Sequence, residues 1–227
     1  MRGALVAALL FWCPPAVLAQ PNDPSFRPNH VTLSVGGAFT AGYPVGDRTA
    51  NLRSNAPDTT STFPLLRAMS EIERAWSADL RLGVGLSRSL ELEVAGSYAT
   101  PELGVTISQD DELGESAFAS ERIEQYSVDV SGVYLIPGAT FASRVRPYVL
   151  GGGGYLRQLH EGRLKVETGG TVHVGGGLRY WFQGGRPNQR SLGARAEVQY
   201  VYRTGGIDFE EQVRSFPRVS VLGFAGF

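Results

Sequence analysis

Residues 76–98 read WSADLRLGVGLSRSLELEVAGSY. In the first half, Trp76, Ala78, Leu80, Leu82, Val84 and Leu86 alternate with Ser77, Asp79, Arg81, Gly83 and Gly85. In the second half, Leu90, Leu92, Val94, Gly96 and Tyr98 alternate with Glu91, Glu93, Ala95 and Ser97. Successive side chains of a β-strand point to opposite faces, so each run places apolar groups on one face and charged or small groups on the other.

The same period of two extends in both directions. Val31, Leu33, Val35, Gly37 and Phe39 open the series, and Tyr126, Val128, Val130, Gly132 and Tyr134 oppose Ser127, Asp129 and Ser131. Tyr148, Leu150, Gly152, Gly154 and Leu156 read as the apolar face of the next strand, followed by Val172, Val174, Gly176, Leu178, Tyr180 and Phe182. Leu192, Ala194, Ala196, Val198, Tyr200 and Tyr202 come next, and Val219, Val221, Gly223, Ala225 and Phe227 close it. The pattern predicts eight strands of about 9 to 11 residues, the length a tilted strand needs to cross bilayer hydrocarbon. After the amino-terminal segment no stretch reaches 18 consecutive apolar residues, so no helix there has the makings of a membrane span.

Connections alternate in length. Shorter ones fall around Ser87 to Ser89, Pro137 to Arg146 and Gln183 to Ser191; longer ones are expected at Pro44 to Arg74, Pro101 to Arg122 and Arg203 to Ser215, with His160 to Glu167 a short member of that set. Short periplasmic turns and longer outer loops are the asymmetry of an outer-membrane barrel, which sets both termini in the periplasm.

Composition narrows the alternatives. The chain has 227 residues, 42% hydrophobic and 19% charged, with a net charge of -1 and a mean hydropathy of -0.10, which excludes a disordered tail and a helical multispanning protein. Near neutrality and a pI of about 6.3 leave no basic footprint, so nucleic acid is not an expected partner. Glycine, at 29 residues, is in excess, without a collagen period, and is expected at turns and crowded strand faces. Arg2, the apolar run Ala4 to Trp12, the Pro14-Pro15 break and Val17-Leu18-Ala19 have the order of an export signal cleaved after Ala19. Residues 1–19 are therefore read as signal peptide and 20–227 as the barrel domain, against the alternatives of a retained anchor or a lipid-modified Cys13, the single cysteine.

Alternation alone does not say which face is inside, since a soluble lipocalin-like barrel alternates as well. Threading the chain up and down sorts the apolar-face aromatics into two levels. Phe39, Tyr43, Trp76, Tyr98, Tyr126, Tyr200 and Tyr202 fall at the loop ends, and Tyr134, Tyr148, Tyr180, Phe182 and Phe227 at the turn ends. Two aromatic girdles around an aliphatic band mark the two surfaces of a membrane. The opposite face carries Asp79, Arg81, Glu91, Glu93, Asp129, Arg179, Arg195 and Glu197. Eight strands leave an interior that side chains fill, so these charges are expected to neutralise one another in a plugged lumen; the rival is an ion or proton pathway.

Phe227, with Val219, Val221, Gly223 and Ala225 stepping back by twos, resembles the carboxy-terminal signature that bacterial outer-membrane proteins present to their assembly machinery. Arg146-Pro147-Tyr148 with Gly151 to Tyr155, then Gly175-Gly176-Gly177-Leu178-Arg179-Tyr180 and Arg195-Ala196-Glu197-Val198-Gln199-Tyr200, is similar to the second half of the OmpA-like outer-membrane β-barrel family. The resemblance covers strands four to eight. It implies a small, monomeric Gram-negative outer-membrane barrel in contact with lipid and lipopolysaccharide.

Motifs for chemistry are few. Gly151 to Gly154 has no following helix pattern to make it a phosphate loop. His30, His160 and His173 lack partners at metal-ligand spacing, and His173 points inward by parity as a lumen hydrogen-bonder. Outer-membrane lipid A deacylases, which resemble this architecture, carry a His-x-Ser pair on one strand; here the corresponding positions are Thr32, Gly162 and Gly175, and Thr32 lies at the periplasmic end. No enzyme activity, cofactor or metal is expected. Asp110, Asp111, Glu112 and Glu115, and Asp208, Glu210 and Glu211, read as solvated acidic loop residues or as sharers of divalent cations with lipopolysaccharide phosphates. The link from Pro44 to Arg74, with Thr59, Thr60, Ser61 and Thr62, is the candidate for contact with an extracellular ligand. The expected fold is an all-β, eight-stranded, antiparallel, up-and-down transmembrane barrel. Its expected role is structural or surface-interacting, with a small-solute channel and then a lipid-modifying enzyme as alternatives.

Overall fold

The computed structural model describes residues 28–53, 62–108, 116–141, 144–163, 165–183, 190–210 and 212–227. The signal segment with Cys13, the acidic run from Asp110 to Glu115, Thr59 to Ser61, and Glu211 lie outside the described residues.

In chain order the strands are β1 (Val31–Thr40), β2 (Tyr43–Arg53), β3 (Thr62–Ile72), β4 (Ala75–Gly85), β5 (Leu90–Ala99) and β6 (Glu102–Ser108). They continue as β7 (Ala117–Arg122), β8 (Glu124–Leu135), β9 (Val145–Leu159), β10 (Val166–Gln183), β11 (Ser191–Gly205) and β12 (Arg214–Gly226). Eight of them close an antiparallel barrel in the order β1-β12-β11-β10-β9-β8-β5-β4. Closure runs through β1, whose Val35 faces Gly223 of β12 on one side and Leu80 of β4 on the other. The eight-stranded all-β barrel expected from the alternation is the observed fold.

The faces are inverted relative to a water-soluble protein. Val35 is 63% exposed and Val221 61%, while Glu91 is 0% and Arg195 1% exposed. Aliphatic groups form the outer wall and charged groups line the interior. Small residues make room for the latter: a Cβ on Gly83 would lie 2.7 Å from the Glu91 carboxyl carbon, and one on Gly177 would lie 2.7 Å from the Tyr148 hydroxyl. Part of the glycine excess is thus space for long polar side chains crossing the lumen.

Strand β9 has the opposite parity to the sequence reading. Tyr148, Leu150 and Leu156 are buried at 1 to 3% exposure, and Val149 and Tyr155 face outward. Both faces of this strand are apolar or glycine through its middle, so hydropathy does not orient it; Arg146 and Gln158, which share the parity of Tyr148, are buried inside with it. Tyr148 is therefore not an interface aromatic, and Tyr155 takes a place on the outer wall. Tyr43 is also corrected: it is buried beneath the outer cap and stacks on Phe216 with ring centroids 4.3 Å apart.

In their described residues the first two long outer links are built of strands. Strands β2 and β3 form one hairpin and β6 and β7 another, joined through β3 and β6 into a four-stranded sheet of order β2-β3-β6-β7. The base of this sheet turns Tyr43, Val45, Ile72 and Leu103 toward Val201 of β11, Ile207 of the link that follows it and Phe216 of β12, forming an apolar cluster at the loop end. A second cluster of Val133, Leu135, Tyr148, Leu150, Trp181 and Phe224 occupies the turn end. The polar lumen lies between them.

Candidate functional site

The eight charged residues expected in the lumen are all buried there. They enter from β4, β5, β8, β10 and β11 because each sits at the inward parity of its strand. The central set is a crossed network. Arg81 reaches Glu197 at 2.6 Å, Asp79 at 3.1 Å and Glu93 at 3.2 Å. Arg195 binds both carboxylate oxygens of Glu93 and reaches Glu197 at 2.7 Å. Arg179 pairs with Glu91 at 3.0 Å, and Glu91 also accepts from the Thr32 hydroxyl at 3.0 Å. Buried charges of this kind are tolerable when paired and hydrogen-bonded, and costly when stranded.

The predicted set holds five carboxylates (Asp79, Glu91, Glu93, Asp129, Glu197) against three guanidinium groups (Arg81, Arg179, Arg195). The structure adds a fourth, Arg218, which grips Asp79 at 2.6 and 2.8 Å. Arg146 and Arg203 also turn inward, and Arg203 donates to the Tyr43 hydroxyl at 2.5 Å and to the Ile207 carbonyl at 2.6 Å. The sequence reading missed all three. Parity held the signal for two of them: Arg218 alternates with Val219, and Arg203 shares the phase of Arg195 and Glu197.

Asp129 is held without an arginine. It accepts from Thr171 at 2.8 Å and Ser127 at 3.0 Å, and His173 Nδ1 stands 3.9 Å away. The other imidazole nitrogen is 2.8 Å from the Ser131 hydroxyl. A hydroxyl, an imidazole and a carboxylate are thus brought together from β8 and β10, whereas a search for His-x-Ser along one strand finds nothing. The arrangement lacks an orienting hydrogen bond, since 3.9 Å is beyond hydrogen-bond range, so the carboxylate does not set the tautomer as it does in a catalytic triad. These groups border a cavity of about 50 Å³ whose lining includes Asp79, Ser97, Gln199 and Arg218. Among the described residues no group of three or more His, Cys, Asp or Glu side chains is placed to hold a metal ion.

The outer wall carries the aromatics in facing pairs. Phe39 lies 5.2 Å from Trp76, Tyr98 lies 5.0 Å from Tyr126, and Tyr200 lies 5.2 Å from Tyr202 at the loop end; Tyr180 and Phe182, 5.1 Å apart, stand at the turn end with Tyr134 and Phe227. Eight residues separate Tyr126 from Tyr134, which at about 3.3 Å per residue and a tilt of about 40° gives a height of about 20 Å. That is close to the apolar band of about 25 Å on transmembrane barrels.

Above the wall, the outer segments dock on one another. The Phe209 amide donates to the Val45 carbonyl at 2.9 Å, and the Asp47 amide to Glu210 at 3.0 Å. Arg214 ties Asp208 at 2.9 Å and Glu210 at 2.8 Å. Burial raises the Asp208 carboxyl, but hydrogen bonds from Arg214 and from the Glu210 amide outweigh it and leave the group below its ordinary value. The Arg214 hydrogen bond holds Glu210 low as well. Across the rim, His160 meets Glu121 at 3.0 Å.

No protein-family model matches the chain, and no curated protein matches it. Solved structures do. Neisserial surface protein A is similar over 86% of this chain and 95% of its own, at 14% identity and a TM-score of 0.51. OprG from Pseudomonas aeruginosa is similar over 90% of this chain and 99% of its own, at 11% identity and a TM-score of 0.49. Ail of Yersinia pestis is similar over 88% of this chain and 99% of its own, at 13% identity and a TM-score of 0.39. At such identities the likeness is one of fold, the closed eight-stranded barrel of small outer-membrane proteins.

Proposed function

We propose that the chain is a monomeric Gram-negative outer-membrane protein, exported through the periplasm, whose lumen is sealed and whose outer segments serve a structural or surface-interaction role. The observation that carries this reading is the joint placement of an aliphatic wall between two aromatic levels and an interior crossed by Arg81, Glu93, Arg195 and Glu197. The resemblance of the second half to OmpA-like barrels supports it. So does Phe227, which we assign to recognition by the barrel assembly machinery. Outer-membrane lipid and lipopolysaccharide are the partners of the wall. The docked sheet of β2, β3, β6 and β7 offers the surface for an extracellular ligand, a more ordered one than an open loop.

A non-enzymatic role fits the enclosed position of Ser131 and His173 beneath the apolar cluster of Tyr43, Ile72 and Phe216. A small-solute channel is the second reading, favoured by the polar cavity between Asp79, Arg218 and His173. Two measurements on the full chain folded in detergent test the proposal. Unboiled protein should run at a different gel mobility from boiled protein, and purified protein in a planar bilayer should show no discrete openings. Unchanged mobility overturns the membrane barrel, and regular openings overturn the sealed lumen in favour of the channel.

A further inference from the structure

Strands β8 and β9 enclose a groove of about 360 Å³ on the outer wall, lined by Glu124, Tyr126, Val128, Tyr155, Arg157 and Leu159. The strand register stacks these side chains in rows: Val128 beside Tyr155, then Tyr126 beside Arg157, then Glu124 beside Leu159. The lowest row is apolar and faces outward, with Val128 56% and Tyr155 52% exposed. It continues downward into the aliphatic wall through Val130. The middle row stands at the level of the loop-end aromatics, since Tyr126 is paired with Tyr98 there.

Arg157 is the unusual member. It is exposed on the outer wall, and among the described residues it has no ion pair or hydrogen bond. The inward-facing arginines each have carboxylate, hydroxyl or carbonyl partners. A guanidinium at the edge of an apolar surface is best matched by a fixed anion with several oxygens, which it binds in a forked geometry. At the membrane surface, such an anion attached to an acyl chain is a lipid phosphate.

We propose that this groove binds a phosphorylated lipid of the outer leaflet, with an acyl chain against Val128 and Tyr155 and the phosphate on Arg157. The site rests on the outer-membrane reading above and names the lipid chemistry that reading leaves open. Glu124, on the β8 side, accepts from the Tyr126 hydroxyl at 3.3 Å. The phosphate therefore sits on the β9 side, and the Glu124 carboxylate opposes it from across the groove.

Native mass spectrometry of the full chain folded in detergent tests the site, with lipid A bearing its phosphates, dephosphorylated lipid A, and inorganic phosphate as probes. The phosphorylated lipid should give an adduct that falls at least tenfold in Arg157→Gln, persists in Arg157→Lys and rises in Glu124→Gln. Arg88→Gln, an exposed cation at the turn end, should leave it unchanged. Each variant is first required to keep the mobility shift of the folded barrel, so that loss of folding is not read as loss of binding. Equal adducts for Arg157→Gln and the unaltered chain, equal adducts with and without lipid phosphates, or comparable binding of inorganic phosphate alone would overturn the lipid site. A chain that does not insert into vesicles at all overturns the outer-membrane reading instead.

Discussion

The Tyr148 hydroxyl donates to Glu197 Oε2 at 2.7 Å, inside the barrel. The same phenol accepts from Arg195 Nε at 3.2 Å, and the guanidinium lies 5.3 Å from the ring centre. One aromatic side chain thus links the apolar cluster at the turn end to the charged network above it. Tyr148→Phe keeps the ring and deletes both hydrogen bonds. The expected loss is about 1 to 3 kcal/mol, the cost of leaving buried polar groups without a partner. Urea unfolding in lipid vesicles measures it; an unchanged midpoint would place the hydroxyl outside the network.

Arg195 supplies the central positive charge between Glu93 and Glu197. Arg195→Met leaves Glu93 and Glu197 to share the single guanidinium of Arg81 and is expected to cost about 3 to 5 kcal/mol, as for other buried pairs broken on one side. Adding Glu93→Gln to that variant removes the excess negative charge beside Arg81 and should restore part of the loss. A double-mutant cycle by the same unfolding measurement reads the coupling, and strict additivity of the two changes would contradict the crossed network.

Much of this arrangement was legible from alternation, and the exceptions have physical causes. In β4, β5 and β11, Asp79, Arg81, Glu91, Glu93, Arg195 and Glu197 fall on one parity and aliphatics on the other, so the faces separate by charge alone. In β9 the middle of both faces is apolar or glycine, and only the flanking Arg146 and Gln158 mark the inward set; the outward Arg157 blurs that mark. The sheet of β2, β3, β6 and β7 was hidden because its rows mix Pro44, Gly46, Asp47 and Arg48 with aliphatics. Its order depends on distant contacts, such as Phe209 on Val45. The approach of His173 to Ser131 joins residues 42 apart across a three-strand span, for which no local spacing exists.

Val130 lies outward and midway between Tyr126 and Tyr134, at 47% exposure. Val130→Arg should therefore destabilise the folded barrel in lipid by about 2 to 4 kcal/mol, the cost of a cation on a lipid face at mid-membrane. Val213→Arg is the matched change, since Val213 is 62% exposed in the outer link before β12 and should tolerate the charge. Equal effects of the two substitutions would remove the distinction between wall and loop.

The outer clasp is expected to respond to acid. Asp208 and Glu210 both have folded-state pKa values held below the ordinary carboxylate range, so the clasp contributes stability above the unfolded value of about 4 and loses it as pH falls through the lowered values. The Glu210 and Gln212 amides, each donating to Asp208 at 3.0 Å, are the reporters. Their hydrogen exchange, corrected for the intrinsic pH dependence, should be slow at pH 5 to 7 and accelerate below about pH 4. Asp208→Asn should exchange fast across the whole range, and pH-independent protection in the unaltered chain would contradict the clasp.

Cys13 is the sole cysteine, so a chain with Cys13 replaced accepts single spin labels at will. Labels placed one at a time from 128 to 133 in vesicle-inserted protein, read by their collision rates with dissolved oxygen, test the orientation of the wall most directly. Oxygen access should be high at 128, 130 and 132 and low at 129, 131 and 133. The reverse phase, or no alternation, would mean that the charged side chains do not fill the interior and that the aliphatic ones do not meet the lipid.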